Sequence, residues 1–348
     1  MATPLTNTAW LEWIASLVGT APRQTQTAAL PSGQFHCLLD ELPLHLIPRE
    51  FFDSHRDRSD QSHRLFFNPQ CSVLPPGAVP EELEEKRHLL AGFNLELPVA
   101  WVRDPAAGFL QPFWLGPQLE EMVTRLQAGE LAPASLSHQT LTLLVNAGIL
   151  IGENVAERRR EEWSRIVRKS SALFREKGYA PLRNLLHPFH IAALRRYYRH
   201  AIRQGTIRLG DEQSSRRYAA HNESVARFFH HQIANIVAAV VGEAVKASYV
   251  YLASYLSGAE LKKHTDRGQC EFSVTLCLDF SPEPERATSW PIRLDTAEGA
   301  VAVYQALGDG LVYRGTAVPH YRHALPVGQT STSIFFHYVP EDFPGTLD

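Results

Sequence analysis

The sequence predicts an α+β protein in which helices precede an all-β sandwich or barrel. Apolar residues recur with helical spacing in several segments between residues 117 and 243. Beyond residue 244 the pattern changes to short, β-rich, alternating runs separated by Gly, Pro and Asp, which is typical of strands joined by turns. No segment of helical period interrupts these runs. The strands should therefore form a sandwich or barrel with helices packed outside it.

The predicted helices occupy the middle of the chain. PQLEEMVTRLQAG predicts a helix that ends at Gly129, and LSHQTLTLLVNAGILI predicts a second helix that stops at 146–148 and leads into a strand. A long, highly charged helix is expected over 153–177, where its polarity suits a connector between two parts of the chain. HIAALRRYYRHAIRQG predicts another helix, and 223–243 predicts a single helix that is mostly buried.

The predicted strands follow in five runs. They are VKASYVYLASYLSG, CEFSVTLCLDF, AVAVYQAL, DGLVYRG and STSIFFHYV. The chain is long enough for two domains, and these patterns divide it into an N-terminal region of uncertain, mainly helical or mixed fold (1–152), the connecting helix (153–177) and a β domain (178–348). Within the first part, 116–151 resembles a small winged-helix-like unit, although two helices that pack on the rest of the protein explain the same pattern.

Composition limits the partners. The formal net charge of -3 provides no global positive field for nucleic acid or an anionic membrane. Two arginine runs, Arg158–Arg160 and Arg195-Arg196, lie among carboxylates or apolar residues at helical spacing. Both are expected on solvated helix faces rather than in a binding patch. The expected partners are dioxygen and a small-molecule or peptide substrate, and the sequence leaves the oligomeric state open.

The four cysteines are Cys37, Cys71, Cys270 and Cys277. They lack CxxC spacing, so neither a zinc ribbon nor a disulfide framework is expected. Cys270 and Cys277 lie an odd number of residues apart on one predicted strand and should face opposite sides, and neither has a recognisable base partner for nucleophilic catalysis. The N-terminal segment MATPLTNTAWLEWIASLVGTAP predicts an amphipathic helix rather than a signal peptide, and hence a cytoplasmic protein.

The sharpest motif is the H-x-D triplet of His264 and Asp266. In an extended segment the two side chains lie on the same face, because strand side chains alternate. One imidazole and one carboxylate can then bind a single cation. A second histidine should come from a neighbouring strand, and GDGLVYRGTAVPH ends in one, His320. Two imidazoles and one carboxylate form the facial triad that suits Fe(II) oxygenases and leaves positions open for a bidentate co-substrate and dioxygen.

Residues 178–340 resemble the Fe(II)/2-oxoglutarate-dependent dioxygenases, in particular the prolyl-hydroxylase-like and phytanoyl-CoA-hydroxylase-like branches. The resemblance is carried by GAELKKHTDR, by GDGLVYRGTAVPH and by PVGQTSTSIFFHY, in that order. It implies a double-stranded β-helix, a jelly-roll and cupin-like core with flanking helices, over 178–348. It also implies that Fe(II) is held by His264, Asp266 and His320, with 2-oxoglutarate as co-substrate. Spacing in the family favours His320 over His323, and His337 is expected either to be structural or to contact a metal ligand without binding the metal.

The chain departs from the family in one place. A basic residue usually follows the distal histidine by about ten positions and binds the far carboxylate of 2-oxoglutarate, but no Lys or Arg follows Arg322 here. Arg322 is the first candidate for that role, because it lies two residues from His320 and so on the same face of a strand. Further candidates are Arg267, Arg293, Arg314, Tyr251, Ser331 and Ser333.

These features predict an oxygenase that hydroxylates an unactivated C–H of an amino-acid side chain, free or peptide- or carrier-bound, with release of succinate and CO2. Two alternatives remain open: a cupin-like metalloenzyme that does not use 2-oxoglutarate, and a non-catalytic binding module. The remaining histidine groups, His187 with His190 and His230 with His231, are expected in surface or capping roles. Phe113, Trp114 and Trp290 are expected in the core or in a substrate cleft.

Overall fold

A computed structural model describes residues 33–49 and 64–347. The predicted N-terminal amphipathic helix lies outside these residues. The α-helices of the described part are α1 (Glu81–Glu84), α2 (Pro117–Gln127), α3 (His138–Asn146), α4 (Val155–Lys177), α5 (Pro188–Arg203), α6 (Ser224–Gln232) and α7 (Ala234–Val241). None of them is long and apolar enough to cross a membrane.

The strands begin before the helices end and then continue to the C-terminus. In the first half of the chain they are β1 (Leu65–Phe67), β2 (Cys71–Leu74), β3 (Val99–Arg103), β4 (Leu110–Trp114), β5 (Leu150–Gly152), β6 (Tyr179–Leu182), β7 (Arg208–Leu209) and β8 (Arg217–His221). In the second half they are β9 (Val245–Tyr255), β10 (Leu261–His264), β11 (Phe272–Ser281), β12 (Ile292–Thr296), β13 (Gly299–Val303), β14 (Gly310–Arg314), β15 (His320–Arg322) and β16 (Thr330–Pro340).

The last eight strands, β9 to β16, form a double-stranded β-helix, and β6, β7 and β8 extend its larger sheet. One sheet has the order β6-β14-β11-β16-β9-β8-β7 and the other β10-β15-β12-β13, with antiparallel pairing throughout. From β9 to β16 the chain passes repeatedly between the two sheets, and the central pairs join strands far apart in sequence, as in a jelly roll. The α+β fold class and the jelly-roll core predicted from the sequence are confirmed.

The outer face of the seven-stranded sheet carries the main core. Alternate residues of β11 and β16, such as Val274, Leu276, Ile334 and Phe336, are fully buried and belong to one cluster with the helices and with the N-terminal strands β3 and β4. α4 packs on α7 and β6. The N-terminal region and the β-helix therefore share one continuous hydrophobic core among the described residues.

Three local predictions need correction. The helix expected over 223–243 is two helices, α6 and α7, separated by a turn at Ile233. Arg195 was expected on a solvated face but is fully buried, because Asp279 and Glu283 pair with it. Cys270 is not on the same strand as Cys277: it ends a 3₁₀ turn before β11, so counting strand parity between them was wrong.

The 116–151 segment contains the two predicted helices, α2 and α3, and then the short strand β5. β5 pairs with β1, a strand from outside the segment, and β2, β3 and β4 form a separate three-stranded sheet. The two helices end as the sequence predicts, with Gly129 and Gly148 in the left-handed region (φ +73° and +74°). Leu119, Val123 and Leu144 join the common core.

Candidate metal centre

The strands β10 and β15 bring the two predicted imidazoles together. His264 is the last residue of β10 and His320 the first of β15, and the two are paired in register. Their ring centroids are 4.3 Å apart. Asp266 follows two residues after His264, and its backbone N–H donates to the carbonyl of Gly315 at 2.8 Å. The loop after β10 is thereby attached to the loop after β14, which holds the carboxylate against both rings.

The three side chains converge on a small volume. The Nε2 atoms of His264 and His320 lie 3.6 and 3.5 Å from Oδ1 of Asp266. One ligand atom from each of the three residues lies within 4.8 Å of the others. Two neutral imidazole nitrogens and one carboxylate oxygen at this spacing can hold a divalent first-row metal ion, with further coordination positions left open.

The histidine rings are oriented by the backbone of their own strands. Nδ1 of His264 lies 2.8 Å from the carbonyl of Lys262, and Nδ1 of His320 lies 3.0 Å from the carbonyl of Val318. A carbonyl only accepts, so each Nδ1 carries a proton. Nε2 donates to Asp266 when it is protonated as well, and it offers a lone pair to a metal ion once that proton is lost. Both Nε2 atoms face Asp266, as metal ligation requires.

The charge of Asp266 is stabilised at this site. Burial opposes its ionisation, but hydrogen bonds from His264 and His320 outweigh burial and hold the pKa of the carboxyl well below its usual range. In return, the hydrogen bond to Asp266 raises the pKa of His264 above its ordinary value. The site therefore keeps an anionic oxygen between two nitrogen ligands at neutral pH.

Arg322 lies on the same strand as His320 and is 4% exposed. One of its terminal nitrogens donates to the carbonyl of Trp290 at 2.7 Å, and its guanidinium lies 4.6 Å from the centre of the Trp290 ring. Its Nε has no hydrogen-bond partner, and no carboxylate of the described residues pairs with it. Burial lowers the pKa of Arg322, and the neighbouring ionisable groups are Tyr255, Cys277 and Tyr313 rather than an acid. A buried guanidinium without an anion is costly.

The inner face of the seven-stranded sheet carries small and polar side chains. Ser273, Thr275 and Ser333 are fully buried there, and Ser333 Oγ, like Arg322 Nε, has no partner. Ser333 is paired in register with Cys277 and Ala253 on the two neighbouring strands. The interior beside the metal site thus holds an unbalanced positive charge and an unsatisfied hydroxyl.

No protein-family model and no curated protein sequence matches the chain. Solved structures do. SnoN, a non-haem alpha-ketoglutarate-dependent epimerase from nogalamycin biosynthesis, is similar over 53% of this chain and 92% of its own, with 14% identity and a TM-score of 0.43. A Pseudomonas putida prolyl-4-hydroxylase is similar over 50% and 100%, with 18% identity and a TM-score of 0.41. HygX from Streptomyces hygroscopicus, with nickel, 2-oxoglutarate and hygromycin B bound, is similar over 51% and 88%, with 12% identity and a TM-score of 0.41.

These structures belong to the superfamily that the sequence resembles. SnoN has also been solved with Fe3+ and alpha-ketoglutarate. At such identities and TM-scores the similarity is one of fold alone, and the strand pairing described above establishes that fold independently.

The other candidate arginines lie outside the interior of the β-helix, although Nε of Arg293 is also buried without a hydrogen-bond partner. Arg267 is exposed, with its guanidinium 4.7 Å from the centre of the Tyr249 ring. Arg314 stacks on Phe174 and pairs with Glu271 at 3.7 Å. Arg293 follows the buried Ile292 on β12, so alternation directs it to the opposite face. Arg322 is the candidate that the fold places inside the β-helix.

The candidate hydroxyls are placed differently from one another. Tyr251 Oη donates to Asp211 Oδ2 at 2.5 Å, so that hydroxyl already has an anionic partner. Ser333 lies inside the β-helix and has none, while Ser331 is buried two residues earlier on β16. Ser333 is thus the hydroxyl best placed to act with Arg322.

The remaining histidines do not join the triad. His323 is exposed, and its carbonyl accepts from Trp290 Nε1 at 2.7 Å. His187 caps α5. Nε2 of His190 bonds to the Pro112 carbonyl, and Nε2 of His230 bonds to the His337 carbonyl. His190 and His230 are buried rather than on the surface as expected, and burial lowers the pKa of both.

Two features of the site escape sequence analysis. The first is an ionic group at the edge of the sheet, where Arg217 donates to Asp211 at 2.6 Å and lies 3.5 Å from Tyr255 Oη. The second is a chain of contacts from Asp266 through Ser273 to His337. Phe113 and Trp114 belong to the main core, whereas Trp290 packs in the interior of the β-helix. Strand parity would have placed Ser273 and His337 inward, but only the register shows that they meet.

Proposed function

We propose that the chain is an Fe(II)- and 2-oxoglutarate-dependent oxygenase and that it hydroxylates an unactivated C–H bond. The observation that carries the proposal is the buried, unpaired guanidinium of Arg322 on the same short strand as His320. A triad alone suits several metals and reactions. A triad beside a buried cation that lacks an anion suits a co-substrate that chelates metal at one end and carries a carboxylate at the other.

The residues present fit both groups. His264, Asp266 and His320 would hold the iron, and Arg322 with Ser333 would bind the far carboxylate of 2-oxoglutarate. That carboxylate would supply the charge that Arg322 lacks and an acceptor for the Ser333 hydroxyl. When bound, iron and 2-oxoglutarate supply the activation of dioxygen: one oxygen atom enters the substrate C–H bond as a hydroxyl and the other enters succinate, with release of CO2.

The chain's own residues orient the metal-binding nitrogens and exclude water from the carboxylate site. The Nδ1 protons of the two histidines are held by backbone carbonyls, so the metal-binding nitrogens need no reorganisation when the ion binds. The buried side chains around Arg322, among them Trp290 and Leu325, keep bulk water from the carboxylate site. A dry, oriented site favours a charge-assisted hydrogen bond over hydration of the guanidinium.

We propose that the substrate is an amino-acid side chain, free or carried on a peptide or carrier, and that the reaction hydroxylates it. The metal ligands include a carboxylate, Asp266, which supports oxygen insertion rather than halogenation. Location in a reducing compartment is supported by four free cysteines, all buried.

The experiment is an anaerobic titration followed by turnover. Fe(II) and then 2-oxoglutarate are added without oxygen, and the metal-to-ligand absorption of the chelate is followed, with Arg322→Met as the variant that should lose it. Succinate is then measured after oxygen is admitted with candidate amino acids and peptides. Stoichiometric iron without 2-oxoglutarate binding would favour a cupin-like metalloenzyme, and absence of stoichiometric iron would favour a non-catalytic module.

A further inference from the structure

Beyond the metal ligands themselves, the structure contains a chain of contacts that ends on one oxygen of Asp266. The Ser273 hydroxyl donates to Oδ2 of Asp266 at 2.7 Å. On its other side the same Oγ lies 2.9 Å from Nδ1 of His337. Since the hydroxyl proton is given to the carboxylate, Oγ must accept from His337, which fixes Nδ1 as the protonated nitrogen of that ring. Burial lowers the pKa of His337 to about 4, consistent with a neutral ring.

His337 is itself held in place by its strand and its neighbours. Ser273 and His337 are paired in register on adjacent central strands, β11 and β16. The His337 carbonyl accepts from Nε2 of His230 at 2.8 Å, and its ring packs on Tyr249 with centroids 4.5 Å apart. The donor to Ser273 therefore has a fixed position in the middle of the seven-stranded sheet.

The fold also closes the space around Oδ2. A Cβ added at Gly315 would lie 2.5 Å from Oδ2 of Asp266 and 2.6 Å from Oγ of Ser273. The backbone of residue 315 thus packs directly against the carboxylate, and only glycine leaves room for the hydrogen bond between Ser273 and Asp266. Oδ2 is occupied on this side, while Oδ1 faces the Nε2 atoms of His264 and His320.

We propose that Ser273 and His337 are positioning residues that restrict Asp266 to binding metal through a single oxygen, Oδ1. A carboxylate free to rotate could bind through both oxygens and occupy a position that an open facial triad leaves for other ligands. The proposal rests on the proposed function in taking His264, Asp266 and His320 as the metal ligands. It adds two residues that do not contact the metal but determine which oxygen of Asp266 binds it.

The same contacts bear on a second group of possible metal ligands. Asp266, Cys270 and His337 also offer ligand atoms within 4.8 Å of one another. However, the Ser273 hydroxyl already joins Oδ2 of Asp266 to Nδ1 of His337, and the Cys270 thiol lies 3.1 Å from Tyr249 Oη. We therefore assign this group to the orientation of Asp266 and not to a second ion.

The test measures metal binding in the absence of 2-oxoglutarate. Fe(II) is titrated anaerobically into the full-length protein, and Co(II) is used in parallel because its visible absorption reports coordination. Ser273→Ala should weaken metal binding about 10–100-fold, the usual effect of losing a partner that orients a ligand, and should change the Co(II) spectrum. Ser273→Thr keeps the hydroxyl and should restore both.

His337 provides an independent pair of variants. His337→Asn keeps an N–H near the position of Nδ1 and should bind metal like the wild type, while His337→Leu removes the donor and should weaken binding about tenfold or more. These variants keep the test informative if Ser273→Ala does not fold, which the melting temperature of the metal-free protein would show.

The matched control is Thr275→Val. Thr275 is the next inward-facing residue of β11 and is fully buried, but its hydroxyl lies 3.4 Å from Tyr313 Oη and does not contact Asp266. Its metal affinity should match the wild type. Wild-type affinity and an unchanged Co(II) spectrum in Ser273→Ala would overturn the proposal, as would an equal loss in Thr275→Val. Because 2-oxoglutarate is absent, failure of the co-substrate to bind would count against the proposed function and leave this inference standing.

Discussion

Two buried arginines on opposite faces of the seven-stranded sheet show what the fold does with an enclosed positive charge. On the outer face, Arg195 donates through Nε to Asp279 at 2.8 Å and also pairs with Glu283 and with the carbonyl of Leu46. On the inner face, Arg322 donates to the carbonyl of Trp290 and has no carboxylate partner among the described residues. Both side chains are removed from solvent, but only the first is neutralised.

The comparison distinguishes Arg195, whose charge is balanced by protein carboxylates, from Arg322, whose charge is available to an anionic ligand. Arg195 joins α5 to the end of β11, and removing it would leave Glu283 without this partner and Asp279 with Arg199 alone. Arg322 forms no such ion pair, and its burial costs free energy unless an anion is bound beside it. The predictions below test this contrast, from the largest expected effect to the smallest.

The largest effects are expected when alanine replaces Asp266 on the inner side of the sheet or Asp279 on the outer side. Asp266→Ala removes the anionic ligand of the triad and should abolish stoichiometric Fe(II) binding and succinate formation. Asp279→Ala should instead lower the melting temperature through the loss of its contacts with Arg195 and Arg199, while the folded protein still binds one iron. Metal analysis and calorimetry of both variants measure this. Retained iron in Asp266→Ala would show that the ligand set is wrong.

Arg195→Met should reduce the free energy of unfolding by about 3 kcal/mol, the lower end of the range for breaking a buried ion pair, because Arg199 still pairs with Asp279. Denaturant unfolding of the metal-free protein gives the value. The neighbouring Arg196→Met is the control: Arg196 donates to the Glu41 carbonyl at 3.4 Å and pairs with no carboxylate among the described residues, so its loss should cost about 0.5 kcal/mol or less. Equal effects would remove the distinction between the fully buried, paired Arg195 and the half-buried Arg196.

Arg322→Met should lower ligand affinity and not stability, the opposite of Arg195→Met. The free energy of unfolding of the metal-free protein should stay constant or rise, because a buried unpaired cation is replaced by an apolar side chain of similar length. The affinity for 2-oxoglutarate should fall at least about 30-fold, equivalent to about 2 kcal/mol. Arg293→Met, on the other face of β12, should bind 2-oxoglutarate like the wild type. A destabilised Arg322→Met with normal affinity would place Arg322 in the same class as Arg195.

The smallest effect, counted over one pH unit, concerns a buried histidine of the outer face. Burial lowers the pKa of His190 to about 4, from an ordinary 6.5. Below pH 6.5 the unfolded chain binds a proton that the folded chain refuses, so stability falls as the pH drops from 6.5 to 4, by up to about 1.4 kcal/mol per pH unit. His190→Gln, which keeps a donor for the Pro112 carbonyl, should show a shallower fall. An identical slope in unfolding measurements of both proteins would mean that His190 is protonated in the fold.

Local signals in the sequence were sufficient for most of the helices and for the three residues that the fold brings together in the candidate metal centre. Glycines end α2 and α4 where expected, and alternation identified the long strands β9, β11 and β16. Parity placed His264 and Asp266 on one face because both lie on one extended segment. The same reasoning put Arg322 beside His320, and the structure shows both side chains buried.

Long-range pairing could not be predicted in this way. Arg195 was expected on the surface because its partner Asp279 is 84 residues away. The break between α6 and α7 occurs in the segment HHQIANI, which contains no Gly or Pro, so no turn signal marks it. Ser273 meets His337 only because β11 and β16 are neighbours in one particular register, and a one-residue shift would have turned one of them outward.

The strand β15 has only three residues, and it is paired on both sides, with His264 and Leu261 of β10 and with Leu294 of β12. Two residues of extended chain span about 6.8 Å, so the backbone itself sets the separation between the Cα atoms of His320 and Arg322. On the proposed function, this fixed separation of two backbone positions contributes to selecting the length of the dicarboxylate. A four-carbon keto diacid, one carbon shorter than 2-oxoglutarate, should bind more weakly.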